Sequence, residues 1–177
     1  MAQQEKLMIG ILGGEKSGKT HTWNLLFQKR LVITGRKIRR LHFDDKTYAE
    51  VFLVSRSAQK RKMDIKTILK DNNPQIVLCS LQYARNLSDT LKYFVDNGYF
   101  MYLHWLNPGY EEPNDLPLFY DSDLVDYILS VPSMLGVRNG KQNAKGRADE
   151  IRDFVYAWTK NRGLLKSTEK PKARKEE

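Results

Sequence analysis

The sequence predicts an α/β fold in three layers, a mostly parallel sheet with helices on both faces. Three observations carry the prediction. The apolar run Leu7-Met8-Ile9-Gly10-Ile11-Leu12 leads into Gly13-Gly14-Glu15-Lys16-Ser17-Gly18-Lys19-Thr20, a stretch with G-x-x-x-x-G-K-T spacing. After it, Trp23, Leu26 and Phe27 recur at helical spacing, with Leu25 widening the stripe. From residue 63 onward, helical stripes alternate with short apolar runs, as crossover connections between parallel strands require.

Taken in chain order, residues 7–12 have the unbroken apolar character of a strand buried on both faces. The glycines that follow let backbone N–H groups turn inward onto phosphate oxygens, and the N-terminus of the next helix adds partial positive charge. In this spacing a lysine reaches the β- and γ-phosphates of a nucleotide and a Ser/Thr hydroxyl ligates Mg2+. The candidate nucleotide-binding residues are therefore Gly13, Gly14, Glu15, Lys16, Ser17, Gly18, Lys19, Thr20 and His21, with Thr20 as the metal ligand. Residues 36–43 alternate loosely and Val51-Phe52-Leu53-Val54 is β-rich, with turn-forming Asp44-Asp45-Lys46-Thr47 between them. A hairpin is the simplest reading; a helix from Thr47 onward is its rival.

A helix over 63–70 is expected to end at Asp71-Asn72-Asn73-Pro74, followed by a buried strand over 75–81. Leu87, Leu91, Phe94 and Val95 mark the next helix, with Asn86 or Ser88 as N-cap and Asn97-Gly98 as its stop. Residues 99–106 form another strand, ended by Asn107-Pro108-Gly109. Leu124, Val125, Ile128 and Leu129 mark a helix, 134–137 a last short strand, and 148–162 a final helix with Ile151, Phe154, Val155 and Trp158 inward.

The length of 177 residues suits one core, so residues 1–162 are expected to form one nucleotide-binding domain and 163–177 a basic, disordered tail. A single cysteine, Cys79, leaves no internal disulfide and suits a buried small hydrophobe in a reducing compartment. No signal-peptide pattern opens the sequence and no run has transmembrane length, which together predict a cytoplasmic protein without membrane contact. The net charge of +9 is concentrated in residues 29–40, 56–70 and 160–175. These segments make nucleic acid a candidate partner, although no nucleic-acid motif accompanies them. His21, His42 and His104 have no metal-ligand spacing.

On the 13–20 motif and its flanks, residues 7–27 resemble the P-loop NTPase superfamily, and the order of elements over 7–162 is similar to the Ras-like arrangement. The resemblance implies a three-layer P-loop NTPase fold, an NTP with Mg2+ as cofactors, and Lys19 as a catalytic residue. Two departures qualify it. GTPases carry Asp-x-x-Gly after the third strand, where this chain has Ser55-Arg56-Ser57-Ala58; of the guanine-reading Asn-Lys-x-Asp, only Asn107 is present. ATP is therefore the expected nucleotide.

Phosphoryl transfer needs an acid near the metal or the attacking group, and Asp44 and Asp45 are the catalytic candidates. Arg56, Arg61 and Lys62 are candidates for charge near the γ-phosphate, and the acidic segment 107–123 for a partner-facing loop. The reading that emerges is a regulatory NTPase or switch that binds ATP and Mg2+, hydrolyses slowly and acts on itself or a protein partner. Its alternatives are a P-loop kinase, with Asp44 or Asp45 as base, acting on a small molecule or nucleic-acid end, and a non-catalytic nucleotide-binding module.

Overall fold

A computed structural model describes residues 6–35, 37–84, 86–107 and 122–168. The strands are β1 (Lys6–Leu12), β2 (Arg39–His42), β3 (Thr47–Val54), β4 (Ile76–Leu81), β5 (Tyr99–Leu106), β6 (Ser133–Arg138) and β7 (Lys166–Ser167). The helices are α1 (Lys19–Leu26), α2 (Ala58–Arg61), α3 (Ile65–Leu69), α4 (Leu87–Asp96), α5 (Ser122–Ser130) and α6 (Ala144–Asn161). The strands lie in the order β2-β3-β4-β1-β5-β6, with β7 also paired to β3. The pairs β3–β4, β4–β1, β1–β5 and β5–β6 are parallel, whereas β2 and β7 run antiparallel to β3. The chain is thus α/β with a mostly parallel, mixed sheet.

Side chains of β1 alternate between two cores because successive strand residues face opposite sides. Leu7, Ile9 and Ile11 pack with Trp23 and Leu26 of α1 and Ile151, Val155 and Trp158 of α6. Met8 and Leu12 pack on the other face with Leu91 and Phe94 of α4 and Ile128 of α5. Cys79 is buried in the second cluster, where burial pushes its thiol up to about 12, in keeping with a small hydrophobe. Among the described residues no helix is long and apolar enough to cross a membrane.

Several boundaries differ from the sequence reading. The hairpin forms, with Thr47 opening a strand, yet β2 is only four residues long. The helix expected over 63–70 forms as the shorter α3, and α2, which the sequence reading did not contain, precedes it and ends where Lys62 takes the left-handed region (φ 52). The last helix starts at Ala144, where the Asn143 side chain accepts the Lys145 N–H at 2.8 Å as an N-cap. The tail expectation is corrected for its first residues. Lys166 and Ser167 pair with Tyr48 and Thr47, and the Thr168 N–H donates to Lys46 O at 2.8 Å. Backbone pairing against the free lower end of β3 orders them without any apolar stripe. Residues 169–177 and 108–121, the latter most of the acidic segment, lie outside the described residues.

On the α6 side of β5, Arg138 donates to both oxygens of Glu150, at 2.5 and 3.1 Å, and the Tyr102 hydroxyl donates to the same carboxylate. The Arg138 guanidinium, helped by that hydroxyl, holds Glu150 down to about 2. His104 beside them is fully buried, neither ring nitrogen finds a partner among the described residues, and burial pushes its pKa down to about 4. An unfolded histidine takes a proton near pH 6.5, whereas the folded one does not until about 4, so falling pH favours the unfolded state across that window. Between pH 7 and pH 5 the protein is expected to lose about 1–2 kcal/mol of stability. His104→Leu should flatten that slope in urea denaturation; an unchanged slope would assign the loss elsewhere. Below about pH 4.5 the Glu150 contribution, present above its unfolded value, is lost in turn as pH falls towards about 2.

Candidate nucleotide-binding loop

Residues 13–18 leave the C-terminal end of the central strand β1 and enter α1 at Lys19. The chain turns sharply there because Gly18 adopts φ 102, a region that L side chains avoid. Close packing reinforces the choice of glycine. A Cβ at Gly18 would lie 2.7 Å from Gly140 O, and one at Gly13 would lie 2.5 Å from Ser17 Oγ. Residues 15 and 16 form a hydrogen-bonded turn, and among the described residues the backbone N–H groups of Glu15, Lys16 and Gly18 meet no protein acceptor. They precede the N-terminus of an eight-residue helix, so the segment presents donors and partial positive charge together.

Lys19 folds back over this segment. Its ammonium donates to Gly13 O, to Gly14 O and, at 3.2 Å, to Ser17 Oγ. Thr20 and His21 follow in the first turn of α1 and are exposed, which leaves the Thr20 hydroxyl open to solvent. Glu15, also exposed, meets Lys60 of α2 at 2.5 Å, and that contact holds its carboxyl below the usual range. The loop residues named from the sequence are thus brought together around Lys19. A triphosphate fits the chemistry of this donor set. Mg2+ would be held by Thr20 and by the nucleotide's own phosphates, as is usual for this ion. Among the described residues no group of three or more His, Cys, Asp and Glu side chains converges as a metal site.

No protein-family model matches this chain, and no curated protein matches it.

Asp44 and Asp45 are not part of it. β1 and β3 both run parallel to β4, so their C-terminal ends share one edge of the sheet. The loop follows β1 at that edge, whereas Asp44 and Asp45 precede β3, eight residues and about 25 Å away. Asp44 is a turn acceptor. It takes the N–H groups of Lys46 and Thr47, each at 2.7 Å, and the Thr47 hydroxyl at 2.8 Å. These bonds, the Thr47 hydroxyl foremost, hold its carboxyl below the ordinary range, the opposite of what a general base needs.

Strand order changes which residues adjoin the loop. The neighbour of β1 on that side is β4, not β3, and the Gly13 N–H donates to Leu81 O at 3.2 Å. Gln82 follows, its N–H held by Gln59 Oε1 at 3.2 Å, while Gln59 Nε2 reaches Thr90 Oγ1 at 2.9 Å. The cation from this segment that the described contacts place on the loop is Lys60, through Glu15.

Three further residues shape the site. Asn107, at the end of β5 with φ 52, accepts the Gly140 N–H at 2.7 Å and so holds the turn after β6 against the loop. That contact is close, since a Cβ at Gly140 would lie 2.0 Å from Ser17 O. Arg147, from the first turns of α6, is 5% exposed and donates to Thr22 Oγ1 at 3.2–3.3 Å and to Asn139 O at 2.7 Å. It ties α1 to the same turn. A signal for Arg147 was present in the sequence, because it falls on the stripe of Ala144, Ala148, Ile151 and Val155 as a lone charge on a buried face.

Proposed function

We propose that this chain is a P-loop nucleotide-binding protein that takes ATP or another NTP with Mg2+ and acts as a regulatory switch with slow hydrolysis. The observation that carries the reading is the 13–18 turn at the carboxyl end of a central parallel strand, with Lys19 folded over it and backbone donors facing no protein acceptor. Ligands of open α/β sheets bind outside the carboxyl ends of the strands, which is where this turn lies. Support for a switch comes from the segment after α1. Thr34 Oγ1 accepts the N–H groups of Ser55 and Arg56, at 3.0 and 3.3 Å, which joins that segment to the residues after β3 at the loop's edge of the sheet. Leu31 and Ile33, both 67% exposed, flank this contact and offer an apolar surface to a protein partner.

One observation favours the non-catalytic reading over the kinase. Among the described residues directly after β3, β4 and β5, which are Ser55-Arg56-Ser57, Gln82-Tyr83-Ala84 and Asn107, none is acidic. Asp44 and Asp45 lie at the other edge, so the base that motivated a phosphotransferase is absent from the loop's surroundings.

The test is titration of a fluorescent ATP analogue with and without Mg2+. Saturable binding, strengthened by Mg2+ in the wild type and no longer so in Thr20→Ala, is the expected result. Absence of saturable binding in a folded protein would end the reading. Phosphate release measured alongside separates a slow hydrolase from a binding module.

A further inference from the structure

A second feature lies away from the loop. The C-terminal end of α1, the edge strand β2 and the middle of α6 line a half-open cavity of about 650 Å3, in the size range of small-molecule pockets, ~300–1,000 Å3. Lys29, Arg39 and Arg152 line it together with Leu26, Phe27 and Leu41, and no acidic residue does. Leu41 belongs to the α1–α6 core, and Arg39, two residues earlier on β2, shares its face. Arg40 also lines the cavity, with its guanidinium over the Tyr48 ring at 4.5 Å from the centroid.

Two of the cations are held in place by the backbone. Arg152 donates to His42 O at 2.7 Å and to Leu26 O at 2.5 Å, so it joins β2 to the end of α1. Arg39 donates to Ile33 O at 2.9 Å and stands 5.7 Å from the Phe27 ring centroid. A guanidinium has five N–H donors, so both side chains keep donors beyond these contacts. Among the described residues none of the three cations forms an ion pair with a carboxylate. Burial pulls the Arg39 pKa below its ordinary value, the sign of a charge whose lost hydration is not offset. Three cations without a carboxylate partner around one cavity give an anion a favourable place among them.

We propose that this cavity is a second anion site, separate from the 13–20 loop, that binds a small organic phosphate. Its phosphate meets Lys29, Arg39 and Arg152, and its organic part lies on Leu26, Phe27 and Leu41. The apolar floor and limited size of this half-open cleft favour a compact ligand over an extended nucleic-acid strand, whose phosphates need a continuous track and whose bases need a stacking platform. The site does not depend on nucleotide binding at the loop.

Calorimetric titration of pyrophosphate into the full chain carrying Lys19→Ala, at about 0.15 M salt, tests this with the loop's lysine removed. One saturable site is expected. Adding Lys29→Ala and Arg39→Gln should weaken it at least tenfold, while each single change weakens it less and the circular dichroism spectrum stays that of the parent. With Lys19 intact, the same two changes should leave affinity for the ATP analogue unchanged, so failure at the loop and failure at the cavity are read separately. Pyrophosphate binding that survives both changes overturns the proposal. So does a result in which pyrophosphate finds no site while a 20-residue oligothymidine binds with a steep salt dependence that both changes flatten; that outcome assigns the surface to nucleic acid.

Discussion

Lys19→Ala is expected to weaken ATP binding on the order of tenfold to a hundredfold with little change in fold. The ammonium bridges Gly13 O, Gly14 O and Ser17 Oγ, so it already stands over the turn that joins β1 to α1. A charge-assisted contact from that position to phosphate contributes roughly 1.5–3 kcal/mol. Titrating the fluorescent ATP analogue measures it, with circular dichroism as the control for folding. Asp44→Asn and Asp45→Asn provide the contrast, since both residues lie at the opposite edge of the sheet and should leave affinity where it was. Unchanged binding in Lys19→Ala, or a comparable loss in either Asn variant, would show that the ligand does not sit on this turn.

The second large effect concerns stability and centres on Arg147. Its guanidinium contacts Thr22 on α1 and the carbonyls of Asn139 and Gln142 after β6 while almost wholly buried. Arg147→Ala removes those donors, leaves buried acceptors without partners and opens space between α1 and α6. A cost of about 2–4 kcal/mol follows, or a fall in melting temperature of roughly 5–15 °C for a chain of this size. Arg147→Lys retains the charge but not the planar fork, and should fall between the two. Because the same contact braces the start of α1 against the turn carrying Gly140, ATP affinity should drop in parallel, even though Arg147 lies behind the loop. A melting temperature within a degree or two of wild type would mean that the brace is redundant with the Asn107–Gly140 bond.

How much of this was legible beforehand follows from what kind of information each residue carries. Local periodicity determined the strands and most helices, because a two-residue or 3.6-residue repeat of apolar side chains is set by the backbone itself. Leu7 to Leu12 and Ile76 to Leu81 needed no partner to be recognised as buried strands. The spacing of Gly13, Gly18, Lys19 and Thr20 was equally local, and the turn it forms between β1 and α1 puts those residues where the spacing implied. The short pieces were misjudged for the same reason. The four-residue α2, ended by Lys62 in a left-handed conformation, is too short to show a repeat, and β7 exists only because the lower end of β3 has room for two more residues.

Strand order is the part that the sequence does not hold in any local form. Asp44 and Asp45 looked suitable because they end a strand, but which end of the sheet they occupy depends on the antiparallel pairing of β2 with β3. Only the tertiary structure could place β4 between β3 and β1, and with it Gln82 beside the loop and the two aspartates a full strand length away. The same holds for Arg147 with Thr22, 125 positions apart, and for Arg39 with Arg152 across one cavity. Such contacts arise from the closing of long loops and the burial of both sheet faces at once, whereas a sequence motif records only neighbours along the chain.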